Sequence, residues 1–296
     1  MKIRIPLSKH AYTPEAHAYK EFLTNRGWQV QLDFECVPDD AALDIRICFM
    51  GSRPFWSASK PSIPEIHEYH SLSTPPYASV KNLIKRCINR QPAGRIFLNK
   101  IVQKDLLFRD DTPTIYRDMG IDRRLFAVQQ VNPEFDLIYS GTMQGRIGLV
   151  DELVRLAKLG LKILIAGEVD EPTRKLLSMF GHVTFTGRLQ PHELPEVYGC
   201  ARAGLNYTPD VYPFNCQTST KTLEYCAAGL GVVSNRYQWA SKFAEQRGAT
   251  FLWLDNLTSK TNLNTFNFQV PNVSDLEWST LLDAAGLDGF LRQCAA

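Results

Sequence analysis

Short apolar runs alternate with amphipathic stretches along the second half of the chain. Runs rich in Ile, Leu and Val predict strands, and the stretches between them, with apolar residues every three or four positions, predict helices. The predicted strands are FDLIYSG, LKILIAG, HVTFTG, AGLNYTP, GVVSN and TFLWL. Strands that alternate with helices form parallel sheets, because a parallel connection has to cross back over the sheet. The second half is therefore predicted to be an α/β unit with a doubly wound parallel sheet.

The first half of the chain repeats this pattern less regularly. Its predicted strands are KIRIPLS, WQVQLDFE, DIRICFMG, EIHEYHSLS and RIFLN, and its predicted helices are AHAYKEFLTNRG and about 78–89. Segment 124–133 has no strong periodicity and contains Asn-Pro, which is typical of a linker. We therefore predict an N-terminal α/β domain at 1–130 and a C-terminal α/β domain at 131–275.

The end of the chain carries two further features. The stretch 256–270 is rich in Asn and Thr and has little pattern, so it is predicted to be a long surface connection. The run SDLEWSTLLDAAGLDGFL predicts a C-terminal helix at 276–296, for which packing back on the N-terminal domain is one option.

Composition and charge exclude several classes of protein. The chain has 33 Lys+Arg and 31 Asp+Glu, and a net charge of +2 does not indicate a nucleic-acid partner. No uncharged apolar run approaches the roughly 18 residues of a membrane span, and the first residues do not resemble a secretion signal. Seven cysteines without a C-x-x-C pair indicate neither a disulfide framework nor a zinc ribbon. We expect a cytoplasmic protein with reduced cysteines.

Ligands of open parallel sheets bind beyond the carboxyl ends of the strands, so the turns there are the first places to look for function. One such turn follows FDLIYSG and contains Gly141, Thr142 and Arg146. Glycine allows a ligand to approach the backbone, and the start of the next helix offers N–H groups to an anion. The turn matches neither G-x-G-x-x-G nor a P-loop, and a tight turn with a solvated arginine is the alternative interpretation.

A second polar turn leads into the helix STKTLEYCAAG. Thr220, Lys221 and Thr222 lie at the helix start, where free N–H groups and a lysine favour a diphosphate. Glu224 follows one turn later, and its carboxylate can accept two hydrogen bonds from a ribose diol. These residues predict a nucleotide-diphosphate pocket. The alternative is a capped helix on which Lys221 and Glu224 form a solvent-facing pair.

Four segments together resemble a known family. The runs GRLQPHELPEVYGCARAGLNYTPD and STKTLEYCAAGLGVVSN resemble the C-terminal half of the group 1 (family 4-like) retaining glycosyltransferases. PEIHEYHSLS is similar to the family's E-x-H-D strand end, and PTIYRDMGIDRRLF is similar to its N-G-V-D…F segment. The resemblance extends to about Leu254. It implies the GT-B fold, in which two Rossmann-like parallel-sheet domains face a central cleft.

The resemblance also implies roles for individual residues. Glu224 matches the glutamate that holds the nucleotide ribose, and Lys221 with Thr222 lies where the helix start meets the donor phosphates. Arg146 occupies roughly the place of a basic residue that contacts the diphosphate. His67 matches a histidine that approaches the donor sugar; His70 is a rival for that role, and a core histidine is the alternative for His67.

No metal ion and no cofactor are expected; the nucleotide-diphosphate sugar, of UDP or GDP type, is a donor substrate. His67 and His70 are three residues apart on a strand, which points them to opposite faces, and no further ligands are suitably spaced. There is no D-x-D motif in a suitable turn, and the pairs Asp39-Asp40 and Asp110-Asp111 are typical of the surface.

The sequence departs from the family pattern at three places. Cys216 stands where the family often has a second glutamate that meets the donor sugar, and Thr142 stands where arginine is common. The usual Gly-Gly turn after the first strand is replaced by residues 12–15. Glu15 and His17 lie about where the family places acceptor-side and donor-side groups after its glycine turn.

The implied function is transfer of a sugar from a nucleotide-diphosphate sugar to a hydroxyl of a saccharide or lipid-linked acceptor. Retention of configuration and a role in bacterial-type polysaccharide or lipopolysaccharide synthesis are implied by the resemblance alone. Two alternatives stay open. One is a nucleotide-sugar epimerase or hydrolase on the same fold, and the other is a non-catalytic nucleotide-sugar-binding protein, for which Cys216 is the argument.

Segment 81–109 is strongly basic, with eight Lys and Arg residues against the single acid Asp105. Such a segment favours contact with anionic lipid headgroups or with a lipid-linked pyrophosphate, which would place the protein peripherally on the inner face of the membrane. Pro54-Phe55-Trp56 would supply an interfacial anchor. The alternatives are a solvated helix face and a loop packed on its own domain.

Overall fold

The computed structural model describes residues 1–7, 13–34, 42–49, 53–56, 63–73, 77–130 and 133–296. Tyr12, Cys36, the Asp39-Asp40 pair and linker positions 131–132 lie outside the described residues. None of the helices in the described ranges has the length and apolar character needed to cross a bilayer.

Strands and helices alternate along most of the described chain. The strands are β1 (Lys2–Leu7), β2 (Gln29–Phe34), β3 (Ile45–Phe49), β4 (Glu65–Tyr69), β5 (Gly94–Phe97), β6 (Thr114–Tyr116), β7 (Phe135–Ser140), β8 (Ile163–Ala166), β9 (Val183–Gly187), β10 (Ala201–Asn206), β11 (Gly231–Ser234) and β12 (Leu252–Trp253). The helices are α1 (Pro14–Thr24), α2 (Ala78–Ile88), α3 (Lys100–Leu106), α4 (Leu149–Lys158), α5 (Glu171–Leu177), α6 (Leu194–Gly199), α7 (Thr220–Ala227), α8 (Gln238–Arg247), α9 (Lys260–Thr265), α10 (Trp278–Ala284) and α11 (Leu287–Ala295).

The chain divides into two compact units, residues 1–120 with 276–296 and residues 121–275. The division falls between Gly120 and Ile121, earlier than the predicted boundary at 130/131. The reason is the 3-10 turn Arg123–Ala127, which packs against α6 and α7 and so belongs to the second unit.

The first unit is built on a parallel sheet of order β2-β1-β3-β4-β5-β6. Its core joins strand residues such as Ile5, Ile47 and Ile66 to α1 and to the two C-terminal helices, which contribute Leu282 and Leu291. The sequence predicted one helix at 276–296, whereas α10 and α11 are separated at Gly286, whose φ of +68° lies in the left-handed region. That conformation ends a right-handed helix and is one that glycine adopts readily.

The second unit is built on a parallel sheet of order β9-β8-β7-β10-β11-β12. The chain winds outward from β7 in one direction and from β10 in the other, so these adjacent strands form the topological switch point. The predicted surface connection at 256–270 contains α9, whose Leu263 is fully buried, and Phe266 and Phe268 pack against the same core. Sparse apolar residues thus anchor a segment that has no clear periodicity.

Candidate functional site

The site begins at the carboxyl end of β7, where Gly141 follows the strand at the switch point of the second sheet. Gly141 has a φ of +103°, a conformation that disfavours other residues, and its N–H donates to the Ala166 carbonyl at 2.7 Å. A Cβ on Gly141 would lie 3.2 Å from both Cε and Nζ of Lys221. The backbone of the turn and the lysine amine are therefore adjacent. Thr142 lies exposed in the same turn.

Helix α7 begins beside this turn. Ser219 caps the helix by accepting the Thr222 N–H at 3.3 Å, and the Ser219 hydroxyl donates to Asn206 Oδ1 at 2.9 Å at the end of β10. The N–H groups of Thr220 and Lys221 come from the same first turn, where the helix itself provides no acceptors. Thr222 does not fit its predicted role, because its side chain is fully buried and its N–H is taken by the cap.

Two cations, Lys221 and Arg146, lie at this turn. Neither Lys221 nor Arg146 forms an ion pair within 4.0 Å with any residue that the structure describes, and the Arg146 guanidinium donates a 3.4 Å hydrogen bond to the Thr208 hydroxyl. Burial and the positive charge of Arg146 lower the pKa of Lys221 to about 8. Like charges held together at a helix start define a site for an anion. The solvent-facing Lys221–Glu224 ion pair of the alternative interpretation is not formed.

Glu224 is held by residues that the sequence analysis did not name. The Tyr198 hydroxyl donates to Glu224 Oε2 at 2.7 Å, and the Tyr198 hydroxyl oxygen also lies 2.9 Å from the Ser140 hydroxyl. Ser140 in turn contacts the Tyr225 hydroxyl at 3.1 Å, so the end of β7, α6 and α7 share one network. Glu224 is half-buried, burial raises its pKa, and Oε1 has no hydrogen-bond partner among the described residues. That oxygen is the acceptor available to a ligand hydroxyl.

A second polar network holds the end of β10. The Asn206 amide donates to the Ser234 hydroxyl at 2.9 Å and to the Tyr237 hydroxyl at 3.0 Å. Asn235 fixes the next turn by exchanging two hydrogen bonds with the Thr208 backbone. The sequence contains a signal for Asn206 and Ser234, since each is a polar residue at the end of an apolar strand, which is the ligand edge of a parallel sheet.

Cys216 lies in a 3-10 turn before α7 and is nearly buried. Its thiol donates to the Pro213 carbonyl at 3.2 Å. The position therefore holds a small, nearly buried thiol.

The two predicted histidines belong to the first unit and differ in their surroundings. His67 lies within β4 with 0% of its surface exposed, and burial lowers its pKa. His70 follows the carboxyl end of β4, and its side chain is 25% exposed. Of the two, only His70 is accessible to a ligand. His67 fits the alternative interpretation of a core histidine.

His70 borders a buried charge network at the carboxyl edge of the first sheet. His70 Nε2 lies 2.7 Å from Glu68 Oε1, and Glu68 is ion-paired with Arg117. Arg117 Nε donates to the Tyr19 hydroxyl at 2.8 Å, and His70 Nδ1 lies 3.9 Å from Glu15 Oε1. Burial alone would raise the pKa of Glu68, but Arg117 and His70 lower it to about 2. Glu68 is thus a carboxylate that fixes the His70 ring.

The described ranges hold no group of three or more His, Cys, Asp or Glu residues that could bind a metal ion. Asp110 pairs with Arg95, which donates to its two oxygens at 2.5 and 2.9 Å. His17 lies exposed on α1.

No protein-family model matches the chain, and no curated protein matches it in sequence. Its structure is similar to AviGT4, a glycosyltransferase involved in avilamycin A biosynthesis, with 14% identity and a TM-score of 0.65 over 99% of this chain and 98% of that one. It is also similar to HepE from Anabaena in complex with UDP and glucose, with 12% identity and a TM-score of 0.60 over 99% and 95% of the chains. A third neighbour is the UDP-GlcNAc 2-epimerase of Methanocaldococcus jannaschii, with 10% identity and a TM-score of 0.56 over 97% and 100%.

These likenesses establish the fold. Two parallel six-stranded sheets with flanking helices, matched over nearly the whole chain, are the GT-B arrangement.

Proposed function

We propose that the protein is a metal-independent glycosyltransferase that moves a sugar from a nucleotide-diphosphate sugar to a hydroxyl of a saccharide or lipid-linked acceptor. The observation that carries the proposal is the cluster at the switch point of the second sheet, where Lys221, Arg146 and the start of α7 surround the Gly141 turn. Retention of configuration and a role in bacterial-type polysaccharide or lipopolysaccharide synthesis are the finer part of the proposal and rest on the sequence resemblance.

The chemistry of the leaving group supports this assignment. Cleavage of the bond between sugar and diphosphate leaves negative charge on the phosphate oxygens, and preorganised cations and N–H groups stabilise such charge strongly. Lys221 and Arg146 lack carboxylate partners among the described residues, so they are available for this role. Glu224 would bind the ribose through Oε1 while Tyr198 holds Oε2.

The structural neighbours support the same class. HepE from Anabaena has also been solved in complex with UDP-glucose, and AviGT4 is described as a glycosyltransferase. His70 is proposed as the catalytic histidine of the first unit, because it is partly exposed at the ligand edge of its own sheet.

The test is a melting-temperature screen with UDP, GDP, ADP and their sugars, followed by product analysis with saccharide and lipid-linked acceptors. A ligand at 100 times its dissociation constant adds about 2.7 kcal/mol of stability, which such a screen detects. We expect one nucleotide class to stabilise the protein and its sugar to appear on an acceptor. No stabilisation by any nucleotide would contradict the proposal.

An epimerase is the second candidate, because the structural neighbours include UDP-GlcNAc 2-epimerases. It would act on the donor alone, so an isomerised or hydrolysed nucleotide sugar formed without any acceptor would favour it. Nucleotide binding without turnover of any donor would instead favour a non-catalytic binding protein, the alternative raised by Cys216.

Nucleoside-diphosphate binding is expected to weaken above pH 8. The pKa of Lys221 is lowered to about 8 by burial and by Arg146, so the amine of the free protein loses its proton above that pH. A bound diphosphate favours the charged amine, and affinity should therefore fall by about tenfold per pH unit above pH 8. Calorimetric titration between pH 7 and about 9.5 measures this. Lys221→Arg keeps its charge and should give a flat profile; a wild-type profile as flat as that of the variant would refute the assignment.

Glu224→Gln is expected to weaken binding of a ribonucleotide more than binding of its deoxy analogues. An amide presents one acceptor oxygen in place of two, so hydrogen bonding to the ribose hydroxyls is impaired. We expect a loss of about tenfold for the ribonucleoside diphosphate, and little loss for the analogue that lacks the bound hydroxyl. Equal losses for both nucleotides would show that Glu224 does not bind the ribose. Tyr198→Phe, which removes the bond to Oε2, should reproduce part of the effect.

A further inference from the structure

Helix α2 of the first unit buries a polar side chain and exposes apolar ones. Its one fully packed side chain is polar, since Asn82 is buried and accepts the Ser73 N–H at 3.1 Å. The opposite positions are apolar and exposed: Val80, Leu83 and Ile84 keep 52%, 47% and 47% of their surface accessible. A surface helix of a globular protein normally shows the reverse arrangement. This exposed apolar stripe therefore needs an explanation other than the core of its own unit.

The apolar surface continues into a neighbouring loop. Phe55 and Trp56 are 67% and 63% exposed and lie with their rings 4.8 Å apart. The Phe55 N–H donates to the Ile88 carbonyl at 2.8 Å, which attaches this loop to the end of α2. These two aromatic rings are not packed on their own domain, which was the alternative interpretation, because both keep most of their surface accessible.

Positive charge borders the stripe. Lys81 and Lys85 follow each other at one helical turn, and burial and the charge of Lys81 lower the pKa of Lys85. Arg86 reaches toward α3, where it donates to the Leu107 carbonyl at 3.3 Å, and Leu107 is itself exposed. Arg86 and the exposed Arg109 also line a pocket of about 490 Å³. The surface thus combines apolar and aromatic side chains with cations, and α2 contains no acidic residue.

We propose that α2 and the Phe55-Trp56 loop form a docking surface for an anionic lipid bilayer, with Val80, Leu83 and Ile84 entering the interface and the lysines contacting lipid phosphates. A helix with an apolar face bordered by Lys and Arg is the form of an interfacial membrane helix, and aromatic side chains favour the headgroup region. The positive charge of the surface favours an anionic bilayer as its partner, because cations around an apolar stripe complement anionic headgroups. The inference extends the sequence prediction for 81–109 by naming the apolar groups that carry the contact.

The test is co-sedimentation of the full chain with vesicles of phosphatidylcholine, with and without about one-third phosphatidylglycerol, at about 0.15 M salt. The wild-type protein should sediment with the anionic vesicles only. Leu83→Ser/Ile84→Ser and Lys81→Glu/Lys85→Glu should each lower the partition coefficient by about tenfold or more, because each removes one of the two attractions. All four side chains lie at the surface or partly exposed, so these variants are expected to fold.

Matched controls lie in the second unit. Met179 is 78% exposed and Lys175 is exposed, so Met179→Ser and Lys175→Glu change similar groups away from α2 and should leave sedimentation unchanged. Equal partition of the wild type and the α2 variants would overturn the proposal. The proposal would also be overturned if the wild-type protein did not bind vesicles but formed an oligomer that Leu83→Ser/Ile84→Ser dissociates. The surface would then bind a second copy of the protein. The sedimentation test uses no nucleotide sugar, so a negative result would not bear on the proposed glycosyl transfer.

Discussion

Replacing Lys221 with Ala is expected to lower the rate of sugar transfer by about a hundredfold to a thousandfold, the usual effect of removing one group that stabilises developing negative charge. The amine lies against the Gly141 turn at the switch point, and without it Arg146 and the N–H groups at the start of α7 would have to stabilise the leaving diphosphate. The measurement is kcat and KM for the donor identified in the melting-temperature screen.

The folded state should tolerate this change. Burial and Arg146 disfavour the protonated amine of Lys221, so removing the charge relieves repulsion and should leave the free energy of unfolding unchanged or slightly higher. Lys175→Ala, an exposed lysine of the same unit, serves as the control and should keep full activity. Near-normal turnover of the Lys221 variant would remove the basis of the proposed site.

The second sheet could be predicted from the sequence because each strand is a compact apolar run bounded by turn residues. Strand β6 and helix α3 were missed for the opposite reason: β6 has three residues, and α3 has seven, too few to show a period. The C-terminal segment has continuous helical periodicity, and only the backbone conformation of Gly286 divides it. Short elements and breaks of this kind depend on tertiary packing that the local sequence does not encode.

The site shows the same limit. Lys221, Arg146 and Glu224 could be named because their residue types and their places after strands indicate phosphate and ribose binding. Burial could not be predicted, so Thr222 and His67 were included although packing removes both from solvent. Tyr198, the partner of Glu224, is 26 residues away in sequence and sits on a different helix, which makes the contact a consequence of the fold.

The largest effect on stability is expected at Arg117, which directly follows β6 and was not singled out by the sequence. Its guanidinium is almost completely buried, pairs with Glu68 and donates to the Tyr19 hydroxyl. Arg117→Met would leave Glu68 buried without its cation, and breaking a buried pair in this way costs about 3–5 kcal/mol of unfolding free energy. Urea denaturation of the variant and the wild type at pH 7 measures the difference.

The pH dependence distinguishes this electrostatic cost from a packing defect. In the wild type the pKa of Glu68 is lowered to about 2, so the pair adds stability that is present above the unfolded-state pKa of 4.5 and is lost as the pH falls toward 2. In Arg117→Met the burial of Glu68 raises the pKa of its carboxylate, so protonation of Glu68 removes the unpaired buried charge. The loss of unfolding free energy relative to the wild type should therefore become smaller as the pH falls from 7 to 4.5. Adding Glu68→Gln to Arg117→Met removes the buried charge and should recover part of the loss at pH 7. A deficit that is constant with pH and unchanged in the double variant would mean that Arg117 acts through its packing on Trp278 and Tyr19, whose rings lie 5.2 and 5.6 Å from the guanidinium.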